Sequence, residues 1–223
     1  MKRTLALILA SLFLLSTLTG CNYFKEENVS ADLPPIAISA DRHAAMIERY
    51  RAILDGAAPF TSTDAAAEVT VQQLSLTLGS DSAADVKISA FAVADLNYDG
   101  EPEVLIWLIA DTNHSYGYTV LHHIGDTVYG YTVPYASLVD LRKDGAFSFY
   151  QDEYHRGCAR MTFTETGCEL NKLSHCDGPD TYVVDGVDAT AEEYALAMTQ
   201  HSSKTRAIWH HFSSANIQEQ LSS

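Results

Sequence analysis

One stretch of the sequence carries oxygen-bearing side chains at alternate positions around a glycine. Residues 95–103 read Asp-Leu-Asn-Tyr-Asp-Gly-Glu-Pro-Glu. Calcium takes about six to eight oxygen ligands in a flexible shell, and alternate side chains of a tight loop can turn to one side. Gly100 permits the sharp turn that such a loop needs. The expected calcium ligands are Asp95, Asn97, Asp99, the backbone carbonyl of Glu101, and Glu103.

The residues on either side of this loop predict strands rather than helices. Apolar runs cover 90–94 and 104–109, and the twelfth loop position, which must be glutamate in a helix–loop–helix calcium site, is Ile106. The pattern D-x-[DN]-x-D-G-x-x-[DE] resembles the calcium loops of FG-GAP and VCBS-type β repeats. Those families carry several such loops and this sequence carries one, so the resemblance implies a solitary structural ion and no propeller. The alternative is a tight turn with solvated acids, because Asp-Gly favours turns.

The start of the sequence predicts an export signal. Lys2 and Arg3 precede an apolar run over 4–17, which is too short to span a bilayer. Residues 18–21 then read Leu-Thr-Gly-Cys. This resembles the lipobox of bacterial lipoproteins, which implies cleavage before Cys21 and its acylation with palmitate-like chains. The alternative is an ordinary secretory signal with a chance cysteine.

The lipobox implies a protein anchored to the extracytoplasmic face of the cell membrane. We expect residues 1–20 to be removed, and 21–38, which are polar and contain two adjacent prolines, to form a flexible tether. Residues 39–223 are long enough for a single domain with its own core.

The charge of the chain excludes some partners. Against 29 acidic residues there are 14 Lys and Arg, a formal net charge of −15, and the signal removes two cations and no acid. Such an acidic chain is not expected to bind nucleic acid or an anionic bilayer surface through its charge. Membrane contact is therefore expected through the lipid alone.

Three cysteines remain besides Cys21, so they cannot all form disulfides with one another. One disulfide with a free thiol, or three buried thiols, are both compatible with Cys158, Cys168 and Cys176. A hairpin turning at 166–167 would place Cys158 opposite His175, which does not favour a Cys158–Cys168 bridge. The spacing matches no paired C-x-x-C zinc pattern, so buried thiols are expected. The zinc alternative would use His155, Cys158, His175 and Cys176.

A repeated Tyr-Gly-Tyr-Thr-Val segment at 116–120 and 129–133 predicts a hairpin with its turn at Gly125-Asp126. This turn places residue 118 opposite 133, 120 opposite 131, and 122 opposite 129. Such a face could stack on a glycan or a protein ligand, or it could cover the core. The side chains expected to share one face are Tyr116, Tyr118, His122, Tyr129, Tyr131 and Tyr135.

The remaining pattern predicts an α+β fold, in which a curved antiparallel β-meander over 88–184 is covered by an N-terminal helix and C-terminal helices. Ser39 or Asp41 can cap the first helix, and Thr190 with Glu193 forms a capping box for a later one. We also expect a final helical stretch from Ile208 through 217. Residues 61–82 have no clear period.

The sequence shows no G-x-S-x-G, H-E-x-x-H, Walker or G-x-G-x-x-G motif. The lipobox, the early helix, the loop and a late Asp185-Gly186 together are similar to uncharacterised lipoproteins of Gram-positive anaerobes. The expected function is a non-catalytic binding or structural lipoprotein with a structural calcium ion. The alternative is an extracytoplasmic hydrolase acting on cell-envelope or glycan material.

Overall fold

The computed structural model of the protein describes residues 39–74, 86–110 and 114–222. The export signal, Cys21 and the tether lie outside this part of the chain. The described elements are α1 (Ala40–Leu54), β1 (Phe60–Ser62), β2 (Ala67–Val69), β3 (Lys87–Ala94), β4 (Glu103–Ala110), β5 (His114–Ile124), β6 (Thr127–Pro134), a 3-10 turn (Tyr135–Ser137), β7 (Phe147–Tyr150), β8 (His155–Thr164), β9 (Gly167–Asp177), β10 (Tyr182–Val184), β11 (Val187–Ala189), α2 (Ala191–Ser203), β12 (His210–His211) and α3 (Ser214–Gln220).

Helix α1 forms where the sequence supplies both a cap and an apolar stripe. The Ser39 side chain accepts a hydrogen bond from the backbone N–H of Arg42 at 3.3 Å, and Gly56 follows the helix with φ of +74°. The stripe recurs every three or four residues, so one face turns to the core, where each large side chain adds about 1.5–3 kcal/mol. That buried face consists of Met46, Ile47, Tyr50, Ile53 and Leu54.

The strands form two sheets. The first has the order β12-β3-β4-β5-β6-β1-β2, and the second has the order β11-β10-β9-β8-β7. All described pairings are antiparallel except that of β1 with β6, which is parallel. The α+β class with helices from both ends of the chain is confirmed. The predicted meander is divided between the two sheets.

The first sheet is the central layer because both of its faces are apolar. One face packs against α1 and α3, with Phe91, Ile106 and Leu121 among the buried side chains. The opposite face packs against the second sheet, where Leu105 and Val120 meet side chains such as Phe147, Phe149 and Met161. The outer face of the second sheet carries α2, whose Thr190–Glu193 capping box is present as predicted.

The prediction of a helix from Ile208 onward was wrong for its first part. Residues 210 and 211 form β12, which pairs with β3 through His210 opposite Phe91. Helix α3 begins only at Ser214, after Ser213 caps it. The free edge of β3 offers backbone hydrogen bonds, and these outweigh the local helical period. None of the described helices is long and apolar enough to cross a membrane.

The loop between β3 and β4, which contains the predicted calcium ligands, is held by the second sheet. Leu96 is fully buried, and its carbonyl accepts a hydrogen bond from the backbone N–H of Met161 in β8 at 2.9 Å. The Arg160 guanidinium lies 4.2 Å from the centre of the Tyr98 ring. Gly145 lies so close that a Cβ there would come within 1.6 Å of the Asp95 carbonyl oxygen.

We therefore expect Gly145→Ala to displace the loop and destabilise the fold by about 2 kcal/mol or more beyond backbone strain alone. Gly186→Ala is the matched control, because Gly186 has φ of +78° against +79° for Gly145, with no atom near its Cβ position. The control should show only the left-handed strain, about 1–2 kcal/mol. The measurement is the free energy of unfolding in urea. Equal losses in both variants would show that the close approach does not matter.

Candidate metal centre

The backbone of loop 95–102 is folded around the side chain of Asp95. Tyr98 and Gly100 both have positive φ, +64° and +89°. The two turns bring backbone N–H groups back onto the Asp95 carboxylate. Its Oδ1 accepts from Asp99 N at 3.1 Å and its Oδ2 accepts from Gly100 N at 2.9 Å. The first predicted ligand is thus fixed in place by the loop that follows it.

Asn97 and Asp99 are tied into the same turn. Oδ1 of Asp99 accepts from Glu101 N at 2.7 Å, and Oδ1 of Asn97 accepts from Asp99 N at 3.2 Å. The Asn97 amide donates to Oδ2 of Asp99 at 2.7 Å. The structure therefore brings three predicted side-chain ligands together in one turn. Each carboxylate oxygen in it has a further lone pair beyond the hydrogen bond it accepts.

The Glu101 side chain is directed to α1, where it forms an ion pair with Arg42. The residue is buried, whereas the Arg42 side chain is largely exposed. The contact joins the loop to the first helix of the domain. It uses the side chain of Glu101 and not the backbone carbonyl, which is the group predicted to bind calcium.

Glu103 is a fully buried carboxylate at the first position of β4. Oε2 accepts from the backbone N–H of Leu96 at 2.6 Å, and Oε1 lies 2.7 Å from Nδ1 of His122 in β5. Burial, together with the nearby charges of Asp99, Asp95 and Glu101, raises its pKa well above the usual value, although the Leu96 bond opposes the shift. Both oxygens thus already have one protein partner. The assignment of Glu103 as a calcium ligand stays a prediction.

Sequence reasoning missed the importance of two residues near these acids. His122 is 19 residues from Glu103 in the chain, and burial lowers the pKa of its imidazole. Tyr50 of α1 is fully buried, and no described group meets its hydroxyl at hydrogen-bond distance. Burial and then the charges of Glu103, Glu101 and Asp99 raise its pKa well above the usual value. No spacing rule in the sequence connects these residues, which are brought together by tertiary packing.

The donor chemistry of the loop fits calcium, because the side-chain donors that converge there are oxygens. In the part of the chain that the structure describes, no three His, Cys, Asp or Glu side chains already converge as a metal shell. Asp95 and Asp99 are directed to backbone N–H groups of their own turn. Calcium would be held by the side chains of Asp95, Asn97 and Asp99 and by the backbone carbonyl of Glu101. The ion would supply a positive charge to a turn that is rich in carboxylates.

The predicted tyrosine hairpin forms with the expected register. Tyr118 lies opposite Val133, Val120 opposite Tyr131, and His122 opposite Tyr129. The face differs at one end, because the pairing of β4 with β5 shifts register between Leu108 and Ile109. Tyr116 consequently packs with the α1 side of the sheet, and Tyr118 packs with the opposite side.

The second sheet covers most of this hairpin face. His122 and Tyr131 stack against Phe163 of β8, with ring centres 4.3 and 5.1 Å apart, and the Tyr131 hydroxyl donates to the Thr164 carbonyl at 2.8 Å. Tyr118, His122 and Tyr131 are buried, Tyr116 and Tyr129 are half-buried, and Tyr135 is 41% exposed. These side chains therefore belong mainly to the core and leave little exposed aromatic surface for a ligand.

The three described cysteines are free thiols. The turn between β8 and β9 lies at 165–166, and the register shifts between Cys158 and Ala159. Cys158 consequently lies opposite Ser174 and not opposite His175 as we predicted. Burial raises the pKa of the Cys158 thiol, and that of Cys168 to about 11. The four residues of the zinc alternative include no three that converge as a shell in the described chain.

A serine and a histidine are in contact where α2 meets β7. In some enzymes such a histidine activates the serine hydroxyl as a nucleophile. Oγ of Ser148 in β7 lies 3.2 Å from Nε2 of His201, a buried residue of α2. Nδ1 of His201 is buried and has no hydrogen-bond partner among the described residues. No acid therefore orients the imidazole as a general base. The pair is best explained as a contact that joins α2 to the second sheet.

Removing the buried carboxylate should be costly. Glu103→Ala leaves the Leu96 N–H and the His122 imidazole without their partner, so we expect a loss of about 2–4 kcal/mol. Glu103→Gln keeps an oxygen for Leu96 and offers an N–H to His122, so its loss should be about 1 kcal/mol or less. Urea unfolding at pH 7 in chelator measures both.

The control for this comparison is Glu169→Ala, which removes an exposed side chain from β9 and should change stability by about 0.5 kcal/mol at most. A Glu103→Ala variant as stable as this control would show that the buried pair contributes nothing to the fold.

Comparison of the chain with protein-family models, with curated proteins and with solved structures found no match.

Proposed function

We propose that the protein is a lipid-anchored extracytoplasmic module in which loop 95–103 holds a structural calcium ion. The module is a non-catalytic binding or structural protein. The observation that carries the proposal is the turn formed by Asp95, Asn97 and Asp99, whose oxygens are held together by backbone N–H groups.

A calcium ion fits the site electrostatically. Four carboxylates lie within nine residues, at Asp95, Asp99, Glu101 and Glu103, and Arg42 is the fully charged side chain that pairs with one of them. An additional cation among the first two acids would reduce their mutual repulsion. Extracellular calcium reaches the millimolar range, so a site with a dissociation constant of about 1 mM would still be filled substantially.

The location follows from the sequence. The Leu-Thr-Gly-Cys lipobox and the apolar run before it support acylation at Cys21, and two or three acyl chains suffice for stable anchoring. The acidic composition supports attachment through lipid rather than through charge. The non-catalytic role is supported by a sequence without a recognised catalytic motif and by the way the Ser148–His201 pair is built into the α2 junction.

Calcium should stabilise the folded protein. Binding to the folded form alone at about ten times the dissociation constant adds about 1.4 kcal/mol, which raises the melting temperature of a domain of this size by about 3–6 °C. Asp95→Asn and Asp99→Asn keep an oxygen for the backbone N–H groups but remove the charge, so the calcium-dependent rise should fall below about 1 °C. Differential scanning calorimetry in 10 mM calcium (about ten times the expected constant of about 1 mM) and in chelator measures the rise.

Asp185→Asn is the matched control, because Asp185 also precedes a glycine in a turn but lies in the β10–β11 hairpin. This variant should keep the full calcium-dependent rise. A wild-type melting temperature that is the same in calcium and in chelator would refute the calcium site.

The anchor is tested separately. Cys21→Ser removes the thiol that carries the lipid, so the protein should move from the membrane fraction to the soluble fraction or the medium. Cys168→Ser should leave it in the membrane fraction. Fractionation and intact-mass measurement of the mature chain decide this, and membrane retention of Cys21→Ser without added lipid mass would refute the anchor.

A further inference from the structure

A cavity of about 580 Å³ lies where α1 faces the turn of the β5–β6 hairpin. The residues that α1 contributes to the cavity lie on one helical face, because they are three or four positions apart in the chain. Its hairpin side is formed by the residues around the turn at 125–126. The volume falls in the range of about 300–1,000 Å³ that is usual for small-molecule sites. The side chains that matter here are Arg42, Ala45, Met46 and Arg49 from α1, and His123 and Asp126 from the hairpin.

Among the described residues, two arginines have no carboxylate partner, Arg49 of α1 and Arg156 of β8, and of these two only Arg49 lines the cavity. Arg42, Arg51, Arg142, Arg160 and Arg206 each form an ion pair with a carboxylate. Arg49 has no carboxylate within 4.0 Å among the described residues, although acids outnumber bases two to one. Arg49 lines the cavity, and its guanidinium is not occupied by an ion pair with a described residue, so it is available to a ligand carboxylate.

Asp126 presents the opposite charge on the other side of the same cavity. Its carboxylate forms no ion pair with any described residue, so it is not paired with Arg49. Both side chains are exposed to solvent. The cavity therefore separates one unpaired positive charge from one unpaired negative charge, and the apolar side chains of Ala45 and Met46 line it as well.

We propose that this cavity binds a small apolar zwitterion, an α-amino acid or a short peptide. Its carboxylate pairs with Arg49, and its ammonium pairs with Asp126. The apolar part of the ligand contacts Ala45 and Met46. A ligand with only one charge would leave either Arg49 or Asp126 without a partner.

The neighbouring polar groups agree with this charge pattern. Arg42 is already paired with Glu101, so it adds little positive charge. Burial, followed by the charges of His122, Arg49 and Arg42, lowers the pKa of His123 despite a backbone hydrogen bond that opposes the shift, so this ring is neutral at pH 7. The free charges of the lining thus reduce to Arg49 and Asp126. Because both are solvated, the expected dissociation constant is about 0.1–10 mM.

This inference names a ligand class for the binding role proposed above, but its site is separate from the calcium turn. Loss of ligand binding with an intact calcium-dependent melting shift would remove this inference alone. Loss of the calcium shift with intact ligand binding would remove the calcium proposal alone.

The test is saturation-transfer difference NMR on the full chain in detergent micelles. The probes are L-leucine, L-methionine and L-phenylalanine as zwitterions, N-acetyl-L-leucine as the anion, and L-leucinamide as the cation. We expect at least one zwitterion to bind, and to bind about tenfold more tightly than either charged leucine analogue if each charge pair contributes about 1.4 kcal/mol. Failure of all three zwitterions at 20 mM, twice the weakest expected constant of about 10 mM, overturns the proposal.

Two charge-removing variants locate the site. Arg49→Gln and Asp126→Asn should each weaken binding of the zwitterion about tenfold. The matched controls are Arg51→Gln, which removes an arginine of the same helix that pairs with Glu48, and Asp185→Asn in another hairpin turn. The controls should leave binding unchanged. Unchanged affinity in the two site variants, or equal binding of the anion or the cation, overturns the proposal.

Discussion

The carboxylate of Glu103 is the constraint on which the site depends, because a buried acid must be given partners or removed from the core. Its two partners come from different parts of the chain, the Leu96 backbone at the start of the loop and the His122 ring in β5. His122 can reach it only when β4 and β5 pair in the observed register, with Val104 opposite Leu121, and Leu96 can reach it only when β3 and β4 pair with Ala94 opposite Glu103. A slip of one residue would turn these side chains to the other face of the sheet and leave the acid unpaired. The buried pair therefore links the start of the loop to the sheet register.

The central sheet explains how this register is maintained. Side chains of one face are buried by α1 and α3, and those of the other face by the second sheet, so alternate residues of β4 and β5 serve different cores. An element buried on both faces loses apolar contacts on both whenever it shifts. The loop is anchored in the same way, because Leu96 enters the core shared by the sheets while Glu101 contacts α1 through Arg42. The turn that contains Asp95 is thus held from two layers at once.

The helices and hairpins whose residues repeat at a regular spacing were predictable from the sequence. Contacts between residues far apart in the chain were not. Ser39 and the apolar stripe of α1 predicted that helix, and the Gly125-Asp126 turn predicted the hairpin register. The same alternation could not say what would cover the hairpin, because the covering residue Phe163 belongs to a strand in another sheet. The extra residue at the β4–β5 register shift places Tyr116 on the face opposite to the predicted one. His210 pairs with the free edge of β3 and so lies in a strand instead of the predicted helix. The turn that brings Asp95, Asn97 and Asp99 together was predictable because the three residues lie close in the chain, whereas the contact of His122 with Glu103, 19 residues away, was not.

The scarcity of cations in this chain makes the position of each one informative. With twice as many acids as bases, a cation placed at random on the surface would readily find a carboxylate, as Arg51 and Arg206 do. Arg42 follows the same rule at the loop, where it neutralises Glu101 and leaves the turn acids without a cationic partner of their own. Arg49 lies about two turns further along the same face of α1, and among the described residues it and Arg156 of β8 have no such partner. With twice as many acids as cations, an unpaired surface aspartate is common and solvation stabilises it, so what distinguishes Asp126 is that it borders the same concave space as an unpaired arginine. Two opposite charges that share a cavity without pairing are complementary to a ligand that carries both. The cavity and the acidic turn at 95–99 therefore differ in the kind of ligand that they suit, although Arg42 contacts both.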